Sequence, residues 1–203
     1  MVPAGYRRAR GAGKPALNFS EEIIMTRVAL VNGASGASKP LLDEINSAFG
    51  VTPAMFRAVA NSPAALQSMW GAFKALGGGV IGARLGEQIA VAVANRNACD
   101  YCLAAHTALG RKAGVGAADM AAAQVGESAD PKTAAVLRFA LALVDERGQV
   151  GDAAVRSLRS AGFDDEHIVE IVAHVALNLF TNYVNVAFAV PVDFPTVELR
   201  RAA

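Results

Sequence analysis

Cysteine, histidine and aromatic side chains are scarce in this chain. Of its 203 residues only two are cysteine, three are histidine and one is tryptophan, and aromatic residues make up 6%. The formal net charge is +1, so the strong basic surface that nucleic acid or an anionic membrane would require is missing. We therefore predict neither as a partner.

Long apolar runs are also missing. No uninterrupted stretch reaches the roughly 20 residues that span a bilayer. The nearest candidate, residues 168–190, is interrupted by Glu170, His174, Asn178, Asn182 and Asn185. The arginine-bearing N-terminal region has no following apolar stretch, so it does not resemble a secretory signal. We expect a cytoplasmic protein, in which a close cysteine pair is a redox or metal pair rather than a structural disulfide.

What the chain has in abundance is alanine. Hydrophobic residues make up 53% of the sequence, and alanine, the best helix former and a poor strand former, is the commonest of them. This composition predicts an all-α fold. Residues 1–24, rich in Gly, Pro and Arg, are expected to form a flexible segment before a single domain at 25–203.

Residues 27–38 resemble a strand followed by a glycine-rich dinucleotide loop. The match is weak, because Gly33 and Gly36 are followed by Ser38, Lys39 and Pro40 instead of a third glycine that opens a helix. No alternation of strands and helices follows. We interpret the segment as an extended lead-in and a loop.

Capping and turn residues divide the rest of the chain into eight or nine helices. Ser62-Pro63 and Asp130-Pro131 each combine an N-cap residue with a proline at the first helical position. The predicted helices cover residues 41–49, 53–60, 63–76, 84–95, 98–112, 117–124, 131–146, 152–160 and about 165–190.

Most of the chemically reactive side chains lie between residues 87 and 114. Cys99 and Cys102 are three residues apart and His106 follows four later, so on a helix all three share one stripe. Asn97 is a good N-cap for this helix, which would put Cys99 in the first turn, where free N–H groups and the helix dipole favour a thiolate.

Glu87 precedes Cys99 by twelve residues, in the preceding apolar helix. If the two helices pack as a hairpin, its carboxylate can face the cysteine stripe. Burial there would raise the pKa of Glu87, which suits a group that takes and returns protons, directly or through His106.

Each of these residues also has a less specific interpretation. The two cysteines form a redox pair, half of a zinc site, or an inert core pair. Zinc would need Glu87 or His174 as a distant fourth ligand, which is a poor arrangement. Taken alone, Glu87 is typical of a solvated helix face, and His174 is typical of a hydrogen-bonded core or interface histidine.

The pattern Glu87-x11-Cys99-x2-Cys102-x3-His106, within EQIAVAVANRNACDYCLAAHTALGRKAG, closely resembles the signature of AhpD-like (alkylhydroperoxidase D-like) proteins in the carboxymuconolactone decarboxylase superfamily. The segments TPAMFRAVANSPAALQSMWGAFKAL and EIVAHVALNLFTNYVNVAF are similar to its peroxidase-related members. The resemblance implies an AhpD-like all-α fold, assembly into homo-trimers or hexamers, and a thiol-dependent peroxidase that uses no haem, flavin or metal cofactor.

The resemblance also implies roles. Cys102 would be the thiolate that attacks an organic hydroperoxide, and Cys99 would resolve the sulfenic acid to a disulfide. Glu87 and His106 would relay protons, and an external dithiol of lipoyl or thioredoxin type would reduce the pair. Some members have a histidine between the cysteines where this chain has Tyr101, and the dipole argument by itself favours Cys99 as the more acidic thiol.

Other functions remain open at the level of sequence. The same cysteines would serve a thiol–disulfide oxidoreductase or a redox sensor without peroxide turnover. A helical oligomer that binds a small apolar ligand would leave them as bystanders. A lyase related to carboxymuconolactone decarboxylase is a further alternative, although the decarboxylating members generally lack the cysteine pair.

Overall fold

The computed structural model describes residues 26–32 and 36–200. The expected flexible segment, residues 1–24, and Gly33 lie outside these ranges, and the single-domain assignment stays a prediction. Within them the chain forms nine helices: α1 Lys39–Phe49, α2 Ala54–Val59, α3 Pro63–Gly77, α4 Gly82–Arg96, α5 Asp100–Lys112, α6 Ala117–Ala123, α7 Pro131–Asp145, α8 Asp152–Ser160 and α9 Asp165–Phe188. The described part of the chain contains no strand, so the all-α prediction is confirmed.

Local capping follows the sequence closely at two helices. The side chain of Ser62 accepts a hydrogen bond from the Ala65 amide at the start of α3. Asp130 accepts one from the Thr133 amide at the start of α7. Each cap satisfies an amide that has no partner within its own helix, and the following proline has no amide to satisfy.

Helix α4 is the centre of the fold. Its residues 89–94, IAVAVA, are all between 0% and 2% exposed, and α4 packs against α5, α7 and α9. A helix that is apolar on every side has to be surrounded by protein. The three alanines in this stretch allow neighbouring helices to approach closely, and Glu87 lies two residues before it.

Helix α9 is the longest element and lies against α2, α3, α4, α5 and α7. By length and composition alone it would suffice to cross a membrane. In this fold it is a core helix, because it buries Asn178, Asn182 and Asn185 against the other helices. The asparagines that interrupt its apolar pattern therefore face the protein interior.

The packing predicts which side chains hold the fold together. Leu137 in α7 is fully buried, whereas its neighbour Arg138 is exposed. We expect Leu137→Ala to lower the free energy of unfolding by about 2–5 kcal/mol, since it removes buried surface and leaves a cavity. Arg138→Ala, the matched control, should change it by less than about 0.5 kcal/mol. Urea denaturation followed by circular dichroism measures both, and equal losses would contradict this packing.

Candidate functional site

The two cysteines lie at the start of α5. Cys99 is its N-cap, and its sulfur accepts a hydrogen bond from the Cys102 amide at 3.2 Å. The two residues are joined as a disulfide with a Cα–Cα distance of 5.3 Å. They are 1% and 2% exposed, respectively. A helical turn thus brings the sulfurs together, as their spacing predicted.

The expected role of Asn97 is wrong. It ends α4 and does not cap α5, because Ala98 takes a left-handed conformation with φ of 51° and moves the helix start two residues on. The Asn97 side chain instead donates to Asn182 Oδ1 at 2.9 Å, which ties this turn to α9. Cys99 therefore occupies the cap position, and Cys102 lies in the first turn of the helix.

Glu87 and His106 meet between α4 and α5. Glu87 Oε2 lies 2.8 Å from His106 Nδ1, and the side chains are 20% and 11% exposed, respectively. The carboxylate orients the imidazole, which leaves the other ring nitrogen for a reaction partner. The helices pack as the antiparallel pair that the sequence required for this contact.

Cys102 and His106 line the same small cavity, which has a volume of about 40 Å³. Its walls are mainly apolar and come from several parts of the chain, including Met55, Phe56, Phe73, Tyr101, Ala105, Thr181, Asn185 and Phe194. Cys99 is not among the lining residues. A molecule entering this cavity would meet the Cys102 sulfur and the imidazole in an apolar setting.

Asn185 is a site residue that sequence reasoning did not assign. Its Nδ2 donates to the Cys102 sulfur at 3.2 Å, and the residue is only 4% exposed. Such a donor stabilises a sulfur that carries negative charge. The available signal was the asparagine series of α9, at positions 178, 182 and 185, whose helical spacing puts a polar stripe on a buried face.

Tyr101, between the cysteines, is held by structural contacts. Its hydroxyl accepts a hydrogen bond from the Met55 amide at 3.3 Å. Burial, and then a hydrogen bond to Asp193, raise the pKa of Tyr101 above its ordinary value, so the phenol stays protonated. Its ring packs edge-on against Phe194 at 5.6 Å. Tyr101 thus links α5 to α2 and to the segment after α9.

Cys99 borders a second, larger cavity on another side of the disulfide. This cavity has a volume of about 440 Å³ and is lined by residues 98–101, 185, 186 and 189–192. Cys102 is not among its lining residues. The two sulfurs are thus reached from different openings, although both are nearly inaccessible to bulk water.

His174 and the charged groups near it do not form a metal centre. Across the described ranges, no three His, Cys, Asp or Glu side chains come close enough together to share a metal ion. His174 also differs from the hydrogen-bonded core histidine that we expected: in the part of the chain that the structure describes, its Nε2 is buried without a hydrogen-bond partner.

Comparisons with known proteins agree with this architecture. The model of the carboxymuconolactone decarboxylase family matches residues 61–146, a segment that contains Glu87, both cysteines and His106. No curated protein matches the chain.

Solved structures share the fold over most of the chain. An uncharacterized peroxidase-related protein from Silicibacter sp. TM1040 is 24% identical, with a TM-score of 0.72 over 82% of this chain and 91% of that one. A protein from Ralstonia eutropha JMP134, described as an alkylhydroperoxidase AhpD core, is 24% identical with a TM-score of 0.73, covering 83% and 92%. The debrominase Bmp8 is 20% identical with a TM-score of 0.70, covering 82% and 91%. Over residues 61–146 the chain is thus similar to the carboxymuconolactone decarboxylase family, and it shares its helical fold with these solved structures.

Proposed function

We propose that the protein is a thiol-dependent peroxidase that reduces organic hydroperoxides through Cys99 and Cys102. The observation that carries the proposal is the common cavity of Cys102 and His106, with His106 held by Glu87 at 2.8 Å. A thiol reacts as its thiolate, and the O–O bond breaks more easily when the departing oxygen receives a proton. This cavity offers both a sulfur and a proton donor.

In the proposed reaction Cys102 is oxidised first and Cys99 second. The Cys102 thiolate attacks one peroxide oxygen, the O–O bond breaks, and the departing alkoxide takes a proton from His106 and leaves as an alcohol. Cys102 becomes a sulfenic acid. The Cys99 thiolate then attacks that sulfur, and hydroxide takes a proton and leaves as water. The resulting disulfide is the state seen here.

Asn185 supports the choice of Cys102 as the attacking sulfur. Its Nδ2 donates to that sulfur, and the His106 imidazole lines the same cavity, so both can stabilise a thiolate there. Cys99 receives one backbone N–H as the N-cap, which suits a sulfur that reacts second. Apolar walls around Cys102 favour an alkyl hydroperoxide over a charged substrate.

An external dithiol of lipoyl or thioredoxin type is the reductant in this proposal. One of its thiolates would attack Cys99 from the larger cavity, which borders that sulfur, and release the Cys102 thiolate. Its second thiol would then free Cys99 and complete the reduction. A cytoplasmic location, which keeps such dithiols reduced, fits this cycle.

The larger cavity also favours a second candidate, a thiol–disulfide oxidoreductase without peroxide turnover. An opening of about 440 Å³ beside Cys99 admits a partner's thiol, and the cavity at Cys102, of about 40 Å³, restricts the peroxide. Fast exchange with dihydrolipoamide, together with no thiol loss on addition of cumene hydroperoxide, would favour this candidate.

Assembly with further copies of the chain is part of the proposal. Outward-facing apolar side chains recur along one side of α9 at helical spacing: Val169, Val172, Phe180, Tyr183 and Val186. A contiguous apolar face on a long helix is typical of a protein interface. A symmetric trimer or hexamer would cover it.

The cysteine roles predict a difference between two variants. With cumene hydroperoxide and dihydrolipoamide, Cys102→Ser should show no turnover, because the attacking sulfur is gone. Without dihydrolipoamide, which would itself react with a sulfenic acid, Cys99→Ser should release one alcohol per chain and stop at the sulfenic acid. Quantifying the alcohol by chromatography and trapping the sulfenic acid with dimedone for mass spectrometry measures both. If Cys99→Ser is the variant without any alcohol release, the roles are reversed.

The role proposed for the Glu87 carboxylate predicts a slower enzyme whose fold is unchanged. Glu87→Gln keeps the size of the side chain but removes the charge that orients and supports a protonated His106. We expect the steady-state rate to fall by roughly 10²-fold, with an unchanged circular dichroism spectrum. Glu146→Gln, an exposed residue at the end of α7, is the matched control and should retain the wild-type rate. Equal rates for both variants would remove Glu87 from the mechanism.

If the apolar face of α9 is an interface, charged substitutions on it should lower the mass of the assembly in solution. Val172→Asp combined with Tyr183→Asp should shift the protein from an oligomer towards the 20.9 kDa protomer, since charge would be buried at the interface. Analytical ultracentrifugation gives the mass. The control is Lys132→Asp combined with Arg138→Asp, which changes exposed residues of α7. A wild-type protein that sediments as a monomer would refute the assembly.

A further inference from the structure

A third cavity lies beside Glu87 and His106. It has a volume of about 120 Å³ and is lined by apolar side chains together with Glu87, His106, His174 and Asn178. Phe73 and His106 line both this cavity and the one at Cys102. We call it the relay chamber. The His106 imidazole therefore borders two spaces, one that holds the reactive sulfur and one that does not.

The relay chamber reaches the surface between α3 and α4. Gly77, Gly82 and Ala83 line it and are exposed. Its volume admits several water molecules, and waters occupy such a space when polar groups are available to bind them. Those groups are present: among the described residues, Nε2 of His174 and Oδ1 of Asn178 are buried and have no hydrogen-bond partner.

Two glycines leave space for the side chains of His174, which lines this chamber, and Glu170. A Cβ atom on Gly86 would come within 3.1 Å of the His174 ring, and one on Gly79 would collide with the Glu170 carboxylate. Glu170 accepts hydrogen bonds from the Ile81 and Val80 amides at 2.8 and 3.0 Å. Its Oε1 lies 3.8 Å from His174 Nε2, too far for a direct hydrogen bond but within reach of a bridging water.

His174 stands among the other titratable groups of this region. Glu170 comes from its own helix, Glu87 from α4 and His106 from α5. Burial lowers the pKa of His174, while the Glu170 and Glu87 carboxylates act in the opposite direction. A neutral imidazole accepts a proton at one nitrogen and donates from the other, which is the property that a proton carrier needs.

The proposed cycle demands a supply of protons at Cys102. The dithiol releases its two protons on the Cys99 side when its sulfurs attack, so the cycle as a whole takes up no protons. The alcohol and the water each take one proton on the Cys102 side, and two protons per turnover must therefore be carried there. The cavity at Cys102 is small and apolar, so it is poorly suited to deliver them.

We propose that His174 carries protons between solvent in the relay chamber and the Glu87–His106 pair, with Glu170 as its fixed partner. His174 touches neither substrate nor sulfur, and it acts through Glu87 and His106. The site thus has separate openings for the hydroperoxide and for protons. The turnover readout below depends on the proposed peroxidase function, whereas the exchange readout does not.

The first experiment measures proton exchange in the resting protein. In protein labelled with ¹⁵N-histidine, water saturation transfer reports how fast the ring proton of His106 exchanges with solvent. We expect His174→Phe, which fills the space without carrying a proton, to slow this exchange at least about tenfold. His167→Phe, near the start of the same helix, is the matched control and should leave it unchanged. Unchanged exchange in His174→Phe would overturn the proposal.

The second experiment measures turnover and guards against a variant that is merely distorted. With cumene hydroperoxide, His174→Ala should lose about tenfold in steady-state rate, less than the roughly 10²–10⁴-fold contributed by a direct acid–base group. Added imidazole should restore the rate. Pyrazole, which has the same shape but stays neutral, should not restore it.

The outcomes separate the two proposals. Rescue by pyrazole as good as that by imidazole would reduce His174 to a packing role, and a wild-type rate in His174→Ala would exclude it from the cycle. If the wild-type protein consumes no hydroperoxide, the proposed function fails, and the exchange experiment still decides whether His174 is a proton carrier.

Discussion

The packing of α5 against α4 is the constraint on which the rest of the site depends. Glu87 and His106 are nineteen residues apart in sequence, and only the antiparallel arrangement of the two helices brings them into contact. That arrangement requires a sharp turn, which the left-handed Ala98 supplies. It also requires a close approach, which the small side chains of α4 allow. The same turn makes Cys99 the cap of α5 and places both sulfurs at the positive end of the helix.

Helix α9 packs against both α4 and α5. One buried face of it supplies Asn182 to the turn after α4, Asn185 to the Cys102 sulfur and His174 to the relay chamber. Buried polar side chains cost free energy unless they find partners. Asn182 and Asn185 each retain one polar atom without a hydrogen bond among the described residues. This buried face therefore carries polar atoms that no hydrogen bond within the fold accounts for. The outer face of the same helix is apolar, and it is the surface that we assign to assembly.

The disulfide is buried, yet both of its cysteines can be reached through cavities. Neither cysteine is more than 2% exposed, and in the proposed peroxidase this burial would protect the thiolate from unwanted oxidation. Each sulfur nevertheless borders its own cavity, Cys102 with His106 on one side and Cys99 on the other. In the proposed cycle, these separate openings would let the hydroperoxide reach Cys102 and the dithiol reach Cys99. The relay chamber adds a third approach that ends at the carboxylate and the imidazole.

The sequence by itself determined the elements and the chemistry that each could carry. Caps at Ser62 and Asp130 and the alanine-rich composition are local signals, so the helices could be predicted without knowing how they pack. The placing of Cys102 and His106 on one side of α5 follows from helical spacing alone, whereas Cys99, the cap, borders a different cavity. Only the tertiary structure decided the partners that come from distant parts of the chain. It replaced Asn97 with Cys99 as the cap, because the φ of Ala98 is set by the turn between two packed helices. It also brought Asn185 and His174 to the site, since the orientation of a third helix is fixed by packing over the whole core and not by any local pattern.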